Sequence, residues 1–215
     1  LIMRSSVLDA AIARIPLVLS DDQHQQFEIL RSELQRWNKR INLTSITDVK
    51  SILIKHFSDA LFLAPHVQKG ARLLDIGSGA GFPVLPLAIV RTDLLCTSVE
   101  SVAKKASFQR HVARLLGIKV SVVNQRLEDF TPSALGAFDF VTSRAFTDPA
   151  AFLALAAPLV APGGCVVVMG GLMRHDEEDL TSCGERCGLT FKSMLKYSLL
   201  HDTGKRFLAF FEKAQ

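Results

Sequence analysis

The sequence predicts an α/β fold: a mostly parallel seven-stranded sheet, closed by a C-terminal antiparallel hairpin and preceded by a helical N-terminal extension. Three observations lead there. From residue 71 onward, apolar strand-like runs alternate with helical patterns, as in a parallel sheet covered on both faces. The last two apolar runs are separated only by HDTGK (201–205), a turn-rich break that suggests a hairpin. Before residue 71 the periodicity is helical. The chain divides accordingly into an extension (1–70) and a core (71–215).

Taken in order, Ser20-Asp21-Asp22-Gln23 is a capping-box pattern. Phe27, Leu30, Leu34, Trp37 and Ile41 follow at spacings of three and four along one helix face. After the break NLTSITD (42–48), Ile52, Leu53, Phe57 and Leu61 continue a helical spacing. Strands are expected at ARLLDI (71–76), LLCTSVE (94–100), KVSVVN (119–124), FDFVTSR (138–144) and CVVVM (165–169). Helices are expected near 83–90, 102–116, 148–160 and 174–187. FKSMLKYSLL (191–200) and RFLAFFE (206–212) make the hairpin. Five strand–helix units closed by a hairpin fit a Rossmann-like methyltransferase sheet better than a dinucleotide fold of two similar halves.

Composition narrows the class. A chain of 215 residues, 48% hydrophobic and 21% charged, can bury a full core and is not disordered. Its net charge of +4 permits a polyanionic partner without requiring one. No stretch approaches the roughly 20 apolar residues of a membrane span. The run VLDAAIARIPLVLS (7–20) carries Asp9 and Arg14, so it makes a poor signal peptide. Cys96 and Cys165 lie in apolar strands, and Cys183 and Cys187 lack a matching second pair. No metal is expected, and a monomer in a reducing cytoplasm fits best.

The stretch LLDIGSGAGFP (73–83) carries the chemistry. Three glycines at alternate positions after a strand imply a sharp turn approached closely by a ligand. The spacing is G-x-G-x-G, whereas the dinucleotide fingerprint is G-x-G-x-x-G; Phe82 stands where that fingerprint wants glycine. Ligands of such sheets bind outside the carboxyl ends of the strands. Asp75, Gly77, Ser78, Gly79 and Gly81 end the first strand, with Phe82 beside them. Glu100 and Ser101 end the second, where an acid can accept from both ribose hydroxyls. Arg126, Leu127 and Glu128 follow the third, placed for an adenine edge, and Arg144 ends the fourth. Pro83 has no N–H to offer a pyrophosphate, and Asp75 would repel one. A cationic cofactor without phosphate, S-adenosylmethionine, suits these residues better than NAD.

These motifs carry a family resemblance. WNKRINLTSI (37–46), HFSDAL (56–61), LLDIGSGAGFPVLPLAI (73–89), SVAKKASF (101–108), RLE (126–128) and SRAF (143–146) resemble the glucose-inhibited division protein B family. Those bacterial methyltransferases modify a guanine N7 in small-subunit (16S) ribosomal RNA. The resemblance covers nearly the whole chain and implies that fold, that cofactor and that RNA substrate. It also implies that Asp75, Gly77, Ser78, Gly79, Gly81, Glu100 and Glu128 line the cofactor site. Two positions depart from the pattern: Val84 stands where the family usually has glycine, and Met169-Gly170 where Lys-Gly is common.

The reaction is narrowed further by absences. The place after the fourth strand reads TSRAF, with no Asn/Asp-Pro-Pro-aromatic tetrapeptide of exocyclic-amine methylation. No cysteine sits at a strand-end loop suited to a covalent cytosine C5 reaction. Guanine N7 is already a lone-pair nucleophile, so positioning suffices. Arg144 would position the target base or hold a phosphate. Residues 31–56 carry six Lys/Arg against two acids, and 101–126 carry six more without an acid. Asn38, Lys39, Arg40, Asn42, Lys105 and Arg206 are the candidate RNA contacts, while Trp37 and His56 fit packing and structural roles. Two rivals stay open: a methyltransferase of small molecules or proteins, and a non-enzymatic RNA-binding assembly factor that retains the pocket.

Overall fold

Ser20 starts a long helix as its sequence requires. Its Oγ accepts from the Gln23 N–H at 3.2 Å, and the Gln23 side chain accepts from the Ser20 N–H at 2.9 Å. A computed structural model describes residues 6–130, 137–144, 148–171, 176–202 and 205–215. In it, a short α1 (Ser6–Ile12) precedes this capped helix, α2 (Asp21–Ile41). Phe27, Leu30 and Leu34 form its buried stripe. Asn42, at φ 48, ends the helix in the left-handed region that Asn tolerates. Asn38 then clasps the following loop: its amide donates to the Thr44 carbonyl and accepts from the Thr44 N–H, both at 2.9 Å. Asp48 caps α3 (Val49–Ile52), which runs through a π-wound turn (Leu53–Ser58) into α4 (Asp59–Leu61). Such turns insert an extra residue per turn and occur frequently at functional sites.

The sheet has seven strands in the order β3-β2-β1-β4-β5-β7-β6. The strands β1 (Arg72–Ile76), β2 (Leu95–Val99), β3 (Val120–Val123), β4 (Phe138–Ser143) and β5 (Val160–Gly170) run parallel. The last strand, β7 (Lys205–Lys213), lies antiparallel between β5 and β6 (Leu189–Ser198). Four helices, α5 (Val84–Val90), α6 (Ala103–Leu116), α7 (Pro149–Ala156) and α8 (Glu177–Arg186), connect the strands. The chain steps outward from β1 to β3 and then returns to place β4 on the other side of β1. That reversal opens a crevice at the carboxyl ends of the strands.

Alternation along the strands splits the core. Leu73 faces a cluster with Phe27, Leu34, Phe57, Leu85 and Phe108, whereas Leu74 faces one with Val141, Phe152, Val166 and Phe211. Side chains of the extension thus enter the same apolar cluster as β1, α5 and α6. Each fully buried Phe or Leu there contributes about 1.5–3 kcal/mol. Trp37 is half-buried, with its ring 5.7 Å from Phe108 and 5.2 Å from His111 on α6.

One boundary differs clearly from the sequence expectation. The strand expected at 165–169 starts at Val160, and the helix expected over 148–160 ends at Ala156. Pro162, Gly163 and Gly164 read as a break, yet the strand passes them through an irregularity: Phe138 pairs Val160, and Phe140 pairs Cys165. The helix expected over 174–187 is α8; positions 174 and 175 lie outside the described residues. Among the described residues, no helix is long and apolar enough to cross a membrane, and no cluster of His, Cys, Asp and Glu could hold a metal ion.

Candidate cofactor and target site

The turn after β1 is built by glycine at two positions for different reasons. Gly77 has φ +66, and a Cβ there would meet nothing within 4 Å, so its face is open to a ligand. Gly81, at φ +83, has no such opening, because a Cβ would run into the Leu85 side chain. It serves the packing of α5. Ser78 turns inward: its Oγ donates to the Asp75 carbonyl at 3.0 Å. The Ser98 hydroxyl lies 2.8 Å from Ser78 Oγ and 2.5 Å from Gln109 Oε1, while the Gln109 amide donates to the Gly79 carbonyl at 2.8 Å. This buried polar network fixes the turn from beneath.

Glu100 fixes it from the side. The carboxylate is only 5% exposed and accepts from the Gly79 N–H and the Val102 N–H, both at 2.8 Å. A carboxylate has about four lone-pair sites, so acceptor capacity remains for a diol. Asn124 donates to the carbonyls of Glu100 and Ser101 and holds the end of β2. A cleft of about 540 Å³ opens here, lined by Gly77, Ser101, Arg126, Leu127 and Glu128. The structure therefore brings those five residues together. Asp75 lies fully buried beneath the turn. Its Oδ2 accepts from the Val84 N–H at 3.3 Å, while its Oδ1 has no partner among the described residues. Burial pushes the carboxyl up to about 7. An orphaned buried acid beside an open glycine turn fits the positive charge of S-adenosylmethionine and would not fit a pyrophosphate.

A second cavity, of about 280 Å³, lies over the ends of β4 and β5 and is closed by the π-wound turn. Arg144 spans its wall. The guanidinium donates to the Lys55 carbonyl at 3.2 Å and to His56 Nδ1 at 2.9 Å. It also stands 5.1 Å over the Phe82 ring. Phe82 itself is stacked on His56, with centroids 4.6 Å apart, so its ring packs toward the extension. His56 Nε2 bonds Thr44 Oγ1 at 2.8 Å. With Arg144 donating to Nδ1, the imidazole is neutral and carries its proton on Nε2. Burial, aided by the Arg144 charge, pushes it down to about 3. Met169 forms part of this cavity, and Val84 is buried beside Asp75.

The candidate RNA contacts are distributed unevenly. Asn38, Lys39 and Asn42 line a third cavity of about 370 Å³, and Asn38 also bonds the Thr44 main chain. Lys39, Arg40 and Asn42 are exposed. Arg206 lines the second cavity, its Nε 3.8 Å from Asp59 Oδ1. Lys105 sits half-buried on the first turn of α6, apart from these cavities' linings as described. Sequence reasoning missed Ser98, Gln109, Asn124, Asp59 and Tyr197. Gln109 had left a signal: it is polar yet shares the helix face of Ala106, Val112, Ala113 and Leu116.

Strand order, glycine turn and acidic strand ends define a Rossmann-like, S-adenosylmethionine-dependent methyltransferase. Solved structures agree on the fold. A methyltransferase from Pyrococcus furiosus aligns with TM-score 0.59 and 19% identity, covering 90% of this chain and 100% of that one. A magnesium protoporphyrin IX methyltransferase from Synechocystis, solved with its bound cofactor, aligns with TM-score 0.59 and 16% identity over 92% of this chain and 100% of that one. Residues 23–210 match the GidB family, described as rRNA small subunit methyltransferase G, and the chain belongs to that family. Its relatives include the ribosomal RNA small subunit methyltransferase G of Geotalea uraniireducens, 40% identical over 96% of this chain and 95% of that protein. The protein of the same name from Geobacter metallireducens is 39% identical over 87% of this chain and 86% of its own length.

Proposed function

We propose that the protein methylates N7 of a guanine in 16S ribosomal RNA, with the cofactor in the cleft over β1–β3 and the target base in the cavity over β4 and β5. One observation carries the choice of atom. His56, the imidazole among the described residues lining the target cavity, has both ring nitrogens hydrogen-bonded and is held neutral, so it is not available to take a proton. Guanine N7 has no proton to lose. When bound, S-adenosylmethionine would supply an electrophilic methyl on its sulfonium that the N7 lone pair can take directly, leaving a neutral thioether and a positive charge on the purine.

The chain's own residues then act by binding, orienting and excluding water. Asp75 faces the cationic end, Gly77 and Gly79 let the backbone approach, and Glu100 accepts from the ribose. Ser101, Arg126, Leu127 and Glu128 flank the adenine. Arg144, anchored on Lys55 and His56, positions the base. The extension (1–70), with Lys39, Arg40 and Asn42, faces the RNA, and the core (71–215) carries the cofactor. The protein acts as a monomer in the cytoplasm, where its ribosomal substrate is found. The test is to incubate it with unmodified small-subunit particles, or with their RNA, and methyl-labelled cofactor. Label is expected in N7-methylguanine; label on an exocyclic amine or a ribose would exclude this reading.

A further inference from the structure

Among the described residues, Asp59 is the one carboxylate lining the target cavity, and methyl transfer to N7 leaves it without a task. It arrives at the cavity wall from the first turn of α4, directly after the π-wound turn. The residue is 5% exposed. Burying a carboxylate is costly unless its lone pairs are hydrogen-bonded. Here the compensation is incomplete. Its Oδ1 accepts from the Tyr197 hydroxyl at 2.8 Å. Two guanidiniums complete its surroundings, Arg206 Nε at 3.8 Å from Oδ1 and Arg144 Nη1 at 3.7 Å from Oδ2. Both distances are ion-pair distances, too long for hydrogen bonds. Among the described residues, then, a buried carboxylate with about four acceptor sites makes one close hydrogen bond. Burial raises its pKa, while Arg144, Tyr197 and Arg206 pull the other way. Tyr197 is held in place by the Phe62 ring stacked 4.1 Å away, so Oδ1 is pinned, and Oδ2 is the oxygen on the Arg144 side.

A half-satisfied buried acid in a cavity is completed by a ligand with paired N–H donors. Among the bases, guanine presents this on its Watson–Crick edge, N1–H beside the N2 amine, with the O6 acceptor next to them. A carboxylate flanked by a guanidinium is complementary to that order of donor, donor, acceptor. Adenine and cytosine carry an acceptor where guanine has N1–H, and it would face the carboxylate lone pairs. A grip on this edge leaves the imidazole side, with N7, uncovered. Flipped bases are commonly read on this edge. We propose that Asp59 determines the guanine specificity of the site by accepting hydrogen bonds from N1–H and the N2 amine of the target, with Arg144 donating to O6. This rests on the guanine-N7 reading above and adds to it the residue that selects the base.

The experiment is built so that the two can fail separately. The modified guanine is first mapped in RNA treated with the wild-type protein. Substrate is then prepared with guanosine or with inosine at that single position; inosine lacks only the N2 amine. Wild type should prefer guanosine in kcat/KM by about tenfold, within the range for one base-edge contact. Asp59→Asn keeps the shape but brings an amide N–H against the base donors. It should lose most activity on guanosine and bring the guanosine-to-inosine ratio close to one. The affinity of both proteins for S-adenosylhomocysteine should stay within about twofold, since Asp59 lies outside the cofactor cleft. Equal wild-type rates on guanosine and inosine would overturn the assignment even if the variant failed to fold. An unchanged ratio in a folded Asp59→Asn would do the same. Absence of N7-methylguanine from the first step would instead remove the guanine-N7 reading, and this inference with it.

Discussion

The two halves of the carboxyl edge are built differently. Over β1 to β3 the polar groups are mostly spent on the backbone: Glu100 holds two N–H groups, Gln109 a carbonyl and Asn124 two more. Over β4 and β5, Asp59, Arg144 and Arg206 stand at ion-pair distance around a small cavity. The first half is preorganised, and an orphaned Asp75 oxygen is the unmet demand left in it among the described residues close to the turn. In the second, the guanidiniums are paired, and it is the Asp59 carboxylate, with one close hydrogen bond, that keeps acceptor capacity open. A cofactor common to many substrates suits a rigid cradle, whereas a base flipped out of RNA suits charges that it completes on arrival.

Breaking the second half should have the largest effect. Arg144→Ala removes a guanidinium that neutralises Asp59 and ties β4 to Lys55 and His56. A loss of about 3 kcal/mol in urea unfolding is expected, as when one partner of a buried pair is deleted, together with loss of methyl transfer. Arg144→Lys should restore little, because one ammonium cannot reproduce the fork. Urea curves and turnover on the same preparations check both points.

A smaller effect concerns pH in the first half. Asp75 has a folded pKa near 7 against an ordinary 3.8. The folded chain therefore holds that proton more tightly than the unfolded chain. Its contribution is full below about pH 4 and is lost as pH rises toward 7. Asp75→Asn cannot ionise, so the stability of wild type minus that of the variant should fall between pH 4 and 7. A flat difference would mean that Asp75 titrates normally. The smallest effect is on the extension. Lys39→Ala with Arg40→Ala should leave cofactor affinity and folding unchanged while reducing the log–log salt slope of RNA binding by about 0.7–0.9 per lost phosphate contact. An unchanged slope would make these residues a solvated helix face.

The same contrast runs through what the sequence made legible. Strand runs, the capping box and the glycine turn are local patterns, and the strands and α2 fall within a few residues of expectation apart from β5, where Pro162 and two glycines disguise an irregular strand. The cleft over β1 to β3 was readable because its lining residues end successive strands, which converge at one crevice. Asp59 was not, for its partner Tyr197 lies 138 positions away on β6, and only the sheet order brings the two together. Asn38 was legible only in part: an amide among bases reads as an RNA contact, and the structure adds that its side chain bonds the Thr44 main chain.

The claim that cofactor and base are held by separate halves is tested most directly by titrating S-adenosylhomocysteine into wild type, Glu100→Ala and Asp59→Asn by calorimetry. Glu100→Ala loses the proposed ribose acceptor and the clamp on Gly79, so its Kd should rise by about tenfold or more, corresponding to about 1.5–3 kcal/mol for hydrogen bonds to a charged group. Asp59→Asn should stay within about twofold of wild type. Equal weakening in both variants, or none in Glu100→Ala, would contradict the division of the edge into a cofactor half and a target half.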